Sequence, residues 1–158
     1  MKKQIFIGAE SFERLREEDY FYVDKTLFIK ELLESKGTVT LITRPRRFGK
    51  TLNMSMLKSF FDVRADSKDM FDGLEIANHR DICEKHQNQY PVISLTLKNA
   101  ELDTFDKSIA RIKNLVSAIY EQNRYLYESD KLSQRQKEVF HLFFMRKSTE
   151  EELQYSLL

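Results

Sequence analysis

The segment TVTLITRPRRFGKTLNMSML, residues 38–57, joins two kinds of local pattern. Residues 38–43 are β-branched or apolar and too few for a helix, which is typical of a buried parallel strand. Residues 51–62 carry apolar side chains around most of a helical circumference, which predicts a helix buried on more than one side. The residues between them therefore lie at a strand-to-helix junction, where free backbone N–H groups and the helix dipole attract phosphate.

This junction ends in Gly49, Lys50 and Thr51, the closing part of the nucleotide-loop pattern G-x-x-x-x-G-K-S/T. In such a loop Lys50 neutralises the β and γ phosphates, and Thr51 offers its hydroxyl to Mg²⁺ as the metal ligand. Gly49 lets backbone N–H groups close on the anion. The pattern therefore predicts ATP and Mg²⁺ as cofactors.

The first glycine of the pattern is replaced by Arg44, and Pro45 follows it. Pro45 removes one N–H donor and biases Arg44 towards extended geometry. We expect a loop of non-standard shape, in which Arg44, Arg46 and Arg47 supply positive potential. Two alternatives remain open. The arginines could instead contact phosphates of a nucleic acid in a non-enzymatic binding module, or the loop could be a degenerate scaffold that binds neither ligand.

The rest of the chain predicts an α/β fold that is rich in helix. PVISLTLK, residues 91–98, indicates a second strand parallel to the first, connected through a largely helical crossover. Helices are predicted over 26–35 and over 104–124, the latter with Asp103 as a candidate cap. Two capping boxes indicate further helices; they pair Ser133 with Gln136, and Ser148 with Glu151.

These elements predict a P-loop NTPase-like fold, a parallel sheet flanked by helices. The sequence ends within a helix on the apolar residues SLL. We therefore expect residues 1–158 to be the N-terminal portion of a larger, truncated nucleotide-binding domain.

Composition limits the class of protein. The chain has 158 residues, of which 41% are hydrophobic, and a formal net charge of +1; this suits one modest core and argues against binding nucleic acid over the whole surface. No apolar run approaches the about 20 residues needed to cross a bilayer. The lone Cys83 excludes an internal disulfide, so we expect a cytoplasmic protein without membrane contact.

Two further groups of residues invite a chemical interpretation. His79, Cys83 and His86 share one helical face, but three ligands on one helix cannot easily surround a zinc ion, so a structural role is favoured. Asp24 follows the apolar run YFYV. It is a candidate for contact with metal or nucleotide, although a role in capping the helix that begins near Thr26 is favoured.

The stretch YFYVDKTLFIKELL, followed by RPRRFGKTLNMSMLKSFFD, resembles the N-terminal part of the predicted AAA-ATPase-like family of bacterial proteins. The resemblance extends to DMFDGLEI and YPVISLTLKN, so it covers nearly the whole chain. It implies that Arg44 is a family trait and that Gly49, Lys50 and Thr51 form the nucleotide loop. It also implies a motif of unclear role at Tyr22–Thr26.

Full-length relatives in that family further resemble one another in an acidic Walker B strand and a C-terminal PD-(D/E)XK nuclease-like domain, for which nucleic acid would be the partner. Neither part is found in this sequence. Because phosphoryl transfer needs Mg²⁺ held and water oriented, the resemblance implies ATPase activity for the full-length protein, and we expect this chain to bind nucleotide without appreciable turnover.

Overall fold

A computed structural model describes residues 3–35, 37–98 and 103–156. Within these ranges the regular structure is helical. The α-helices are α1 (Phe12–Glu17), α2 (Leu27–Glu34), α3 (Lys50–Phe61), α4 (Arg80–His86), α5 (Phe105–Gln122), α6 (Gln134–Phe144) and α7 (Glu150–Ser156). Short 3-10 turns cover Asp69–Phe71, Glu75–Asn78 and Arg124–Leu126. No helix in the described ranges is long and apolar enough to cross a membrane.

The predicted parallel sheet is wrong for the part of the chain that the structure describes. Residues 39–45 and 91–97 have no regular secondary structure. The β pairing in the described part of the chain is a single parallel bridge outside both segments, between Asp62 and Tyr90. Val39 and Leu41 are 85% and 84% exposed, where a buried strand was expected. A β-branched run favours extended backbone, but a strand also needs hydrogen bonds from a neighbouring chain segment. These segments have a local preference for extended backbone but no neighbouring segment to pair with among the described residues. The predicted α/β P-loop fold is therefore not seen there.

The helix predictions are confirmed. A helix forms its backbone hydrogen bonds within its own segment, so a local pattern is enough to predict it. The segments predicted at 26–35, 51–62 and 104–124 correspond to α2, α3 and α5. The capping box at the start of α6 is also confirmed: the Ser133 hydroxyl accepts from the Gln136 amide, and the Gln136 side chain accepts from the Ser133 amide at 2.8 Å.

Two predicted caps are displaced by one residue. Thr104, rather than Asp103, accepts the Lys107 amide at the start of α5. At the start of α7 the reciprocal pair is Thr149 with Glu152, whose carboxylate accepts from the Thr149 amide at 2.7 Å, instead of Ser148 with Glu151. In both cases neighbouring residues have similar capping chemistry, so sequence fixes the helix start only to within about one residue.

The chain divides into two compact units, Met1–Val92 and Ile93–Leu158. The core of the first unit joins α1, α2 and α3 to the 3-10 turns at Asp69–Phe71 and Glu75–Asn78. Its buried members are Phe12, Ile29, Met56, Phe60, Phe71, Leu74 and Ile76. The α1 helix is further fixed to α3 because the Phe12 amide donates to the Ser55 hydroxyl at 3.0 Å. This packing determines where the N-terminus of α3 lies relative to α2.

The second unit is held mainly by contact between α5 and α6. Val116, Phe143 and Leu153 form its buried cluster. The Tyr120 ring lies 4.9 Å from that of Phe143, and the Ser117 hydroxyl donates to the Phe144 carbonyl at 3.0 Å. All of the residues predicted to bind nucleotide belong to the first unit.

Candidate functional site

The loop that precedes α3 turns at Arg47 and Gly49. These residues have φ values of 68° and 73°, the left-handed region that L side chains rarely adopt. Arg44 is not among the residues with positive φ. The conformational freedom of glycine is therefore required at the end of this loop and not at its first position, which explains why an arginine can stand there.

Lys50 is the first residue of α3, and its side chain folds back over the loop. Its Nζ atom donates to the carbonyl oxygen of Pro45 at 3.1 Å and also contacts the carbonyl oxygen of Arg44. These contacts are local, since the partners lie five and six residues away in the sequence. They hold the ammonium group against the backbone of Arg44 and Pro45.

The N-terminus of α3 faces the same region. The first helical hydrogen bond runs from the Asn53 amide to the Gly49 carbonyl at 2.9 Å, so the amides before Asn53 have no acceptor within the helix. Gly49 is the N-cap residue and offers no side chain to them. Free amides and the positive end of a helix dipole together favour an anion at this position.

A cavity of about 460 Å³ opens beside the loop, within the range of small-molecule sites. Three cationic side chains and one carboxylate contribute to its wall. The lining residues are Lys25, Leu27, Phe28, Glu31, Ile42, Arg44, Phe48, Lys50 and Asn53. A cavity with this charge balance and an apolar remainder suits an organic anion.

The predicted site residues fall into two groups. Arg44 and Lys50 line the cavity, and Gly49 caps the helix whose N-terminus lies beside it. Arg46, Arg47 and Thr51 are exposed and are not among the lining residues. In the described part of the chain no group of three or more His, Cys, Asp or Glu side chains is arranged to hold a metal ion.

Sequence reasoning did not place Lys25 in this site. Its Nζ atom lies 3.9 Å from the position that a Cβ would take on Gly49, and its side chain lines the same cavity as Lys50. The Tyr22–Thr26 motif drew attention to this residue, but nothing local predicts a contact across more than twenty residues of chain.

The residues on either side of Lys25 bind the 3-10 turn at Glu75–Asn78. Asp24 accepts from the Glu75 amide at 2.7 Å, and the Thr26 hydroxyl accepts from the Ile76 amide at 3.1 Å. Asp24 also accepts from the amide and hydroxyl of Thr26, at 2.8 and 2.7 Å. We call these four hydrogen bonds the Asp24–Thr26 clamp.

The clamp determines the ionisation of Asp24. Partial burial by itself would raise the pKa of this carboxyl group, but the Glu75 and Thr26 amides, the Thr26 hydroxyl and the charge of Arg16 outweigh it and hold the pKa below its ordinary value. Both carboxylate oxygens are engaged. Asp24 accepts from the amide of Thr26, the N-cap residue of α2, and not from an amide of the first helical turn; its expected role in capping stays a prediction.

Tyr22, at the start of the motif, packs into the core. Its ring lies edge-on to Phe12 at 5.4 Å. Burial raises the pKa of Tyr22 to about 12, although the nearby Lys25 amide acts in the opposite direction. The buried hydroxyl has no hydrogen-bond partner of standard geometry among the described residues. The motif is thus anchored at both ends, by Tyr22 in the core and by Thr26 in the clamp.

The other candidate cluster consists of His79, Cys83 and His86. The Cys83 thiol donates to the Ile76 carbonyl at 3.4 Å, and His86 Nδ1 contacts the Tyr90 hydroxyl. Burial raises the pKa of the Cys83 thiol, with the charges of Asp81 and Glu84 adding to the effect. These contacts are structural: they join α4 to the preceding 3-10 turn and to the segment that follows.

The model of a family described as predicted AAA-ATPase matches residues 6–157 of this chain. The chain belongs to the predicted AAA-ATPase-like family. The match includes both the loop before α3 and the Tyr22–Thr26 motif. Membership in the AAA-ATPase-like family supports a general relation to ATPases.

A protein of Azotobacter chroococcum mcd 1, described as an uncharacterized protein in the vnfD 5′ region, is 40% identical to this AAA-ATPase-like chain over 86 residues. The matched segment covers 54% of this chain and 16% of that protein. No solved structure matches the chain.

Proposed function

We propose that this chain binds Mg²⁺-ATP and forms the nucleotide-binding part of an AAA-like ATPase. The observation that carries the proposal is that the Lys50 ammonium group and the N-terminus of α3 lie together at one cavity. Family membership supports the same conclusion. Both features attract the same part of a nucleotide, its phosphates.

Lys50 would bind the phosphates by exchanging its present acceptors. It now donates to neutral backbone carbonyls of Arg44 and Pro45. In those bonds only the donor is charged, whereas a phosphate oxygen adds a negative charge on the acceptor and so strengthens the attraction; phosphate oxygens therefore compete well for this ammonium group. The amides at the start of α3 would donate to the same anion, while Arg44 would add a third positive group from the cavity wall.

Thr51 is the residue that would hold Mg²⁺, through its exposed hydroxyl. Magnesium commonly binds few protein ligands beside phosphate oxygens and water, so one hydroxyl in the first turn of α3, outside the cavity wall, would suffice for an ion held mainly by the phosphates. Bound Mg²⁺ supplies neutralisation of phosphate charge. Arg46 and Arg47, which are exposed near Thr51 in the sequence, would contribute long-range attraction for the anion.

Hydrolysis needs a carboxylate that orients water or holds the metal ion. Asp24 is occupied by the clamp, which leaves Glu31 as the carboxylate on the cavity wall. One carboxylate does not supply both of these roles, so we propose nucleotide binding, and not hydrolysis, for this chain.

The proposal is tested by Lys50→Ala in calorimetric titration with Mg²⁺-ATP. Loss of a charge-assisted bond costs about 1.5 to 3 kcal/mol, so we expect affinity to fall by roughly tenfold to a hundredfold. Lys85→Ala is the matched control, because Lys85 is an exposed lysine of α4 that does not line the cavity. Equal affinities in the wild type and Lys50→Ala would contradict the assignment.

A further inference from the structure

The side chain of Lys25 lies near other positive groups. Its ammonium group approaches Gly49, the N-cap residue of α3, and a cation is destabilised by the positive end of a helix dipole. Lys50 and Arg44 share the cavity wall. No carboxylate of the described residues forms an ion pair with Lys25, although Glu31 lines the same cavity. An anion bound between Lys25, Arg44 and Lys50 would attract all three side chains and offset the repulsion between their positive charges.

The Asp24–Thr26 clamp fixes the point from which the side chain of Lys25 extends. The residues immediately before and after it are both hydrogen-bonded to the turn at Glu75–Asn78, and Thr26 is completely buried. The backbone of Lys25 is therefore fixed, and only its long side chain is free to adjust. Lys25 is exposed, so its ammonium group can follow an anion that binds in the cavity.

We infer that Lys25 is a second phosphate-binding residue, which contacts the polyphosphate of the nucleotide across the cavity from Lys50. This inference rests on the proposed function, since it adds a ligand to the same anion. It assigns a role to the Tyr22–Thr26 motif: the motif delivers one cation to the loop from outside it. The ligand class is a polyphosphate, because two ammonium groups and the amides of a helix N-terminus together suit several adjacent phosphates.

The experiment compares Lys25→Gln with Lys85→Gln, each titrated calorimetrically with Mg²⁺-ATP and with inorganic tripolyphosphate at one ionic strength. Holding salt constant matters because exposed charges are screened. We expect Lys25→Gln to bind both ligands at least tenfold more weakly than the wild type, and Lys85→Gln to bind them unchanged. Lys25→Met, which keeps the unbranched stem without its charge, provides a second measurement of the same loss.

Each other outcome overturns a distinct statement. Wild-type affinity in Lys25→Gln and Lys25→Met, together with loss of binding in Lys50→Ala, would refute the role of Lys25 and leave the proposed function intact. Equal losses in Lys25→Gln and Lys85→Gln would show a general effect of net charge, and would also refute it. Absence of binding of either ligand to the wild-type chain would refute the proposed function itself.

Discussion

Two regions bring a cation to the same cavity by different means. Lys50 belongs to the loop before α3, where its partners are the carbonyls of residues five and six positions away. Lys25 belongs to a motif whose neighbours bind amides of Glu75 and Ile76, fifty or more positions away. The loop is largely exposed, whereas Thr26 in the clamp is completely buried.

This difference separates binding from stability. Substitutions of the charged side chains in the exposed loop should change the affinity for an anion while leaving the fold nearly intact, because surface side chains contribute little to folding. Substitutions in the clamp should destabilise the first unit, because they leave backbone amides without an acceptor.

The largest expected effect is that of Asp24→Asn on stability. The substitution preserves shape but removes the charge that accepts from the Glu75 and Thr26 amides. Hydrogen bonds to charged groups contribute about 1.5 to 3 kcal/mol, and we expect a loss of about that size in the free energy of unfolding at pH 7. Urea denaturation measures it, with the exposed Asp72→Asn as the matched control.

The pH dependence of the same comparison provides a second criterion. Because the folded pKa of Asp24 is lowered, its stabilisation is present above the unfolded pKa of about 3.9 and is lost as pH falls through the folded value. The difference between wild type and Asp24→Asn should therefore shrink in acid. A difference that stays constant from neutral pH into acid would show that the carboxylate charge is not the cause.

The comparison also shows which features sequence can predict. The helices α2, α3 and α5, and the capping box at Ser133, follow from patterns within a few residues, and so does the placement of Lys50 at a helix start. These features depend on local hydrogen bonds and periodicity.

The features that sequence did not predict depend on distant contacts. Residues 38–43 and 91–98 have strand-like composition, but pairing depends on a partner elsewhere in the chain, and the described residues supply none beyond the bridge at Asp62 and Tyr90. Lys25 reaches the loop only because the first unit packs α2 against the 3-10 turn that holds the clamp. Neither relation is encoded in a local pattern.

An intermediate effect is expected for Gly49→Ala. The left-handed conformation of Gly49, with φ of 73°, costs an alanine about 1 kcal/mol. The added Cβ would meet Lys25 Nζ at 3.9 Å, an ordinary contact, so the penalty is one of backbone conformation and not of space. We expect unfolding measurements to show this loss.

Gly37→Ala is the matched control for that measurement. Gly37 is not among the glycines with positive φ, and a Cβ there meets its nearest neighbour, the Val39 carbonyl oxygen, at 3.5 Å. Its stability should not fall. If Gly49→Ala were as stable as Gly37→Ala, the loop would have another conformation available, and the exposed region would be less constrained than the geometry of α3 indicates.

The smallest expected effect belongs to Arg44→Gly, which restores the glycine of the nucleotide-loop pattern. Since Arg44 does not have positive φ, glycine gains no conformation that arginine lacks, and it adds freedom to the unfolded chain. It also removes a cation from the cavity wall, where exposed charge interactions contribute about 0.2 to 1 kcal/mol. We expect Mg²⁺-ATP to bind up to about fivefold more weakly, and the fold to be almost unchanged.

Arg44→Ala separates the two causes in that last measurement, because it removes the charge without adding backbone freedom. Similar affinities in Arg44→Ala and Arg44→Gly would assign the loss to charge. A mutant Arg44→Gly that bound tenfold more tightly, a gain of about 1.4 kcal/mol, would mean that the loop is a P-loop damaged at its first position. In that case Arg44 would be the cause of the left-handed turn at Arg47 and Gly49. The conformation of the loop would then depend on the single residue at position 44.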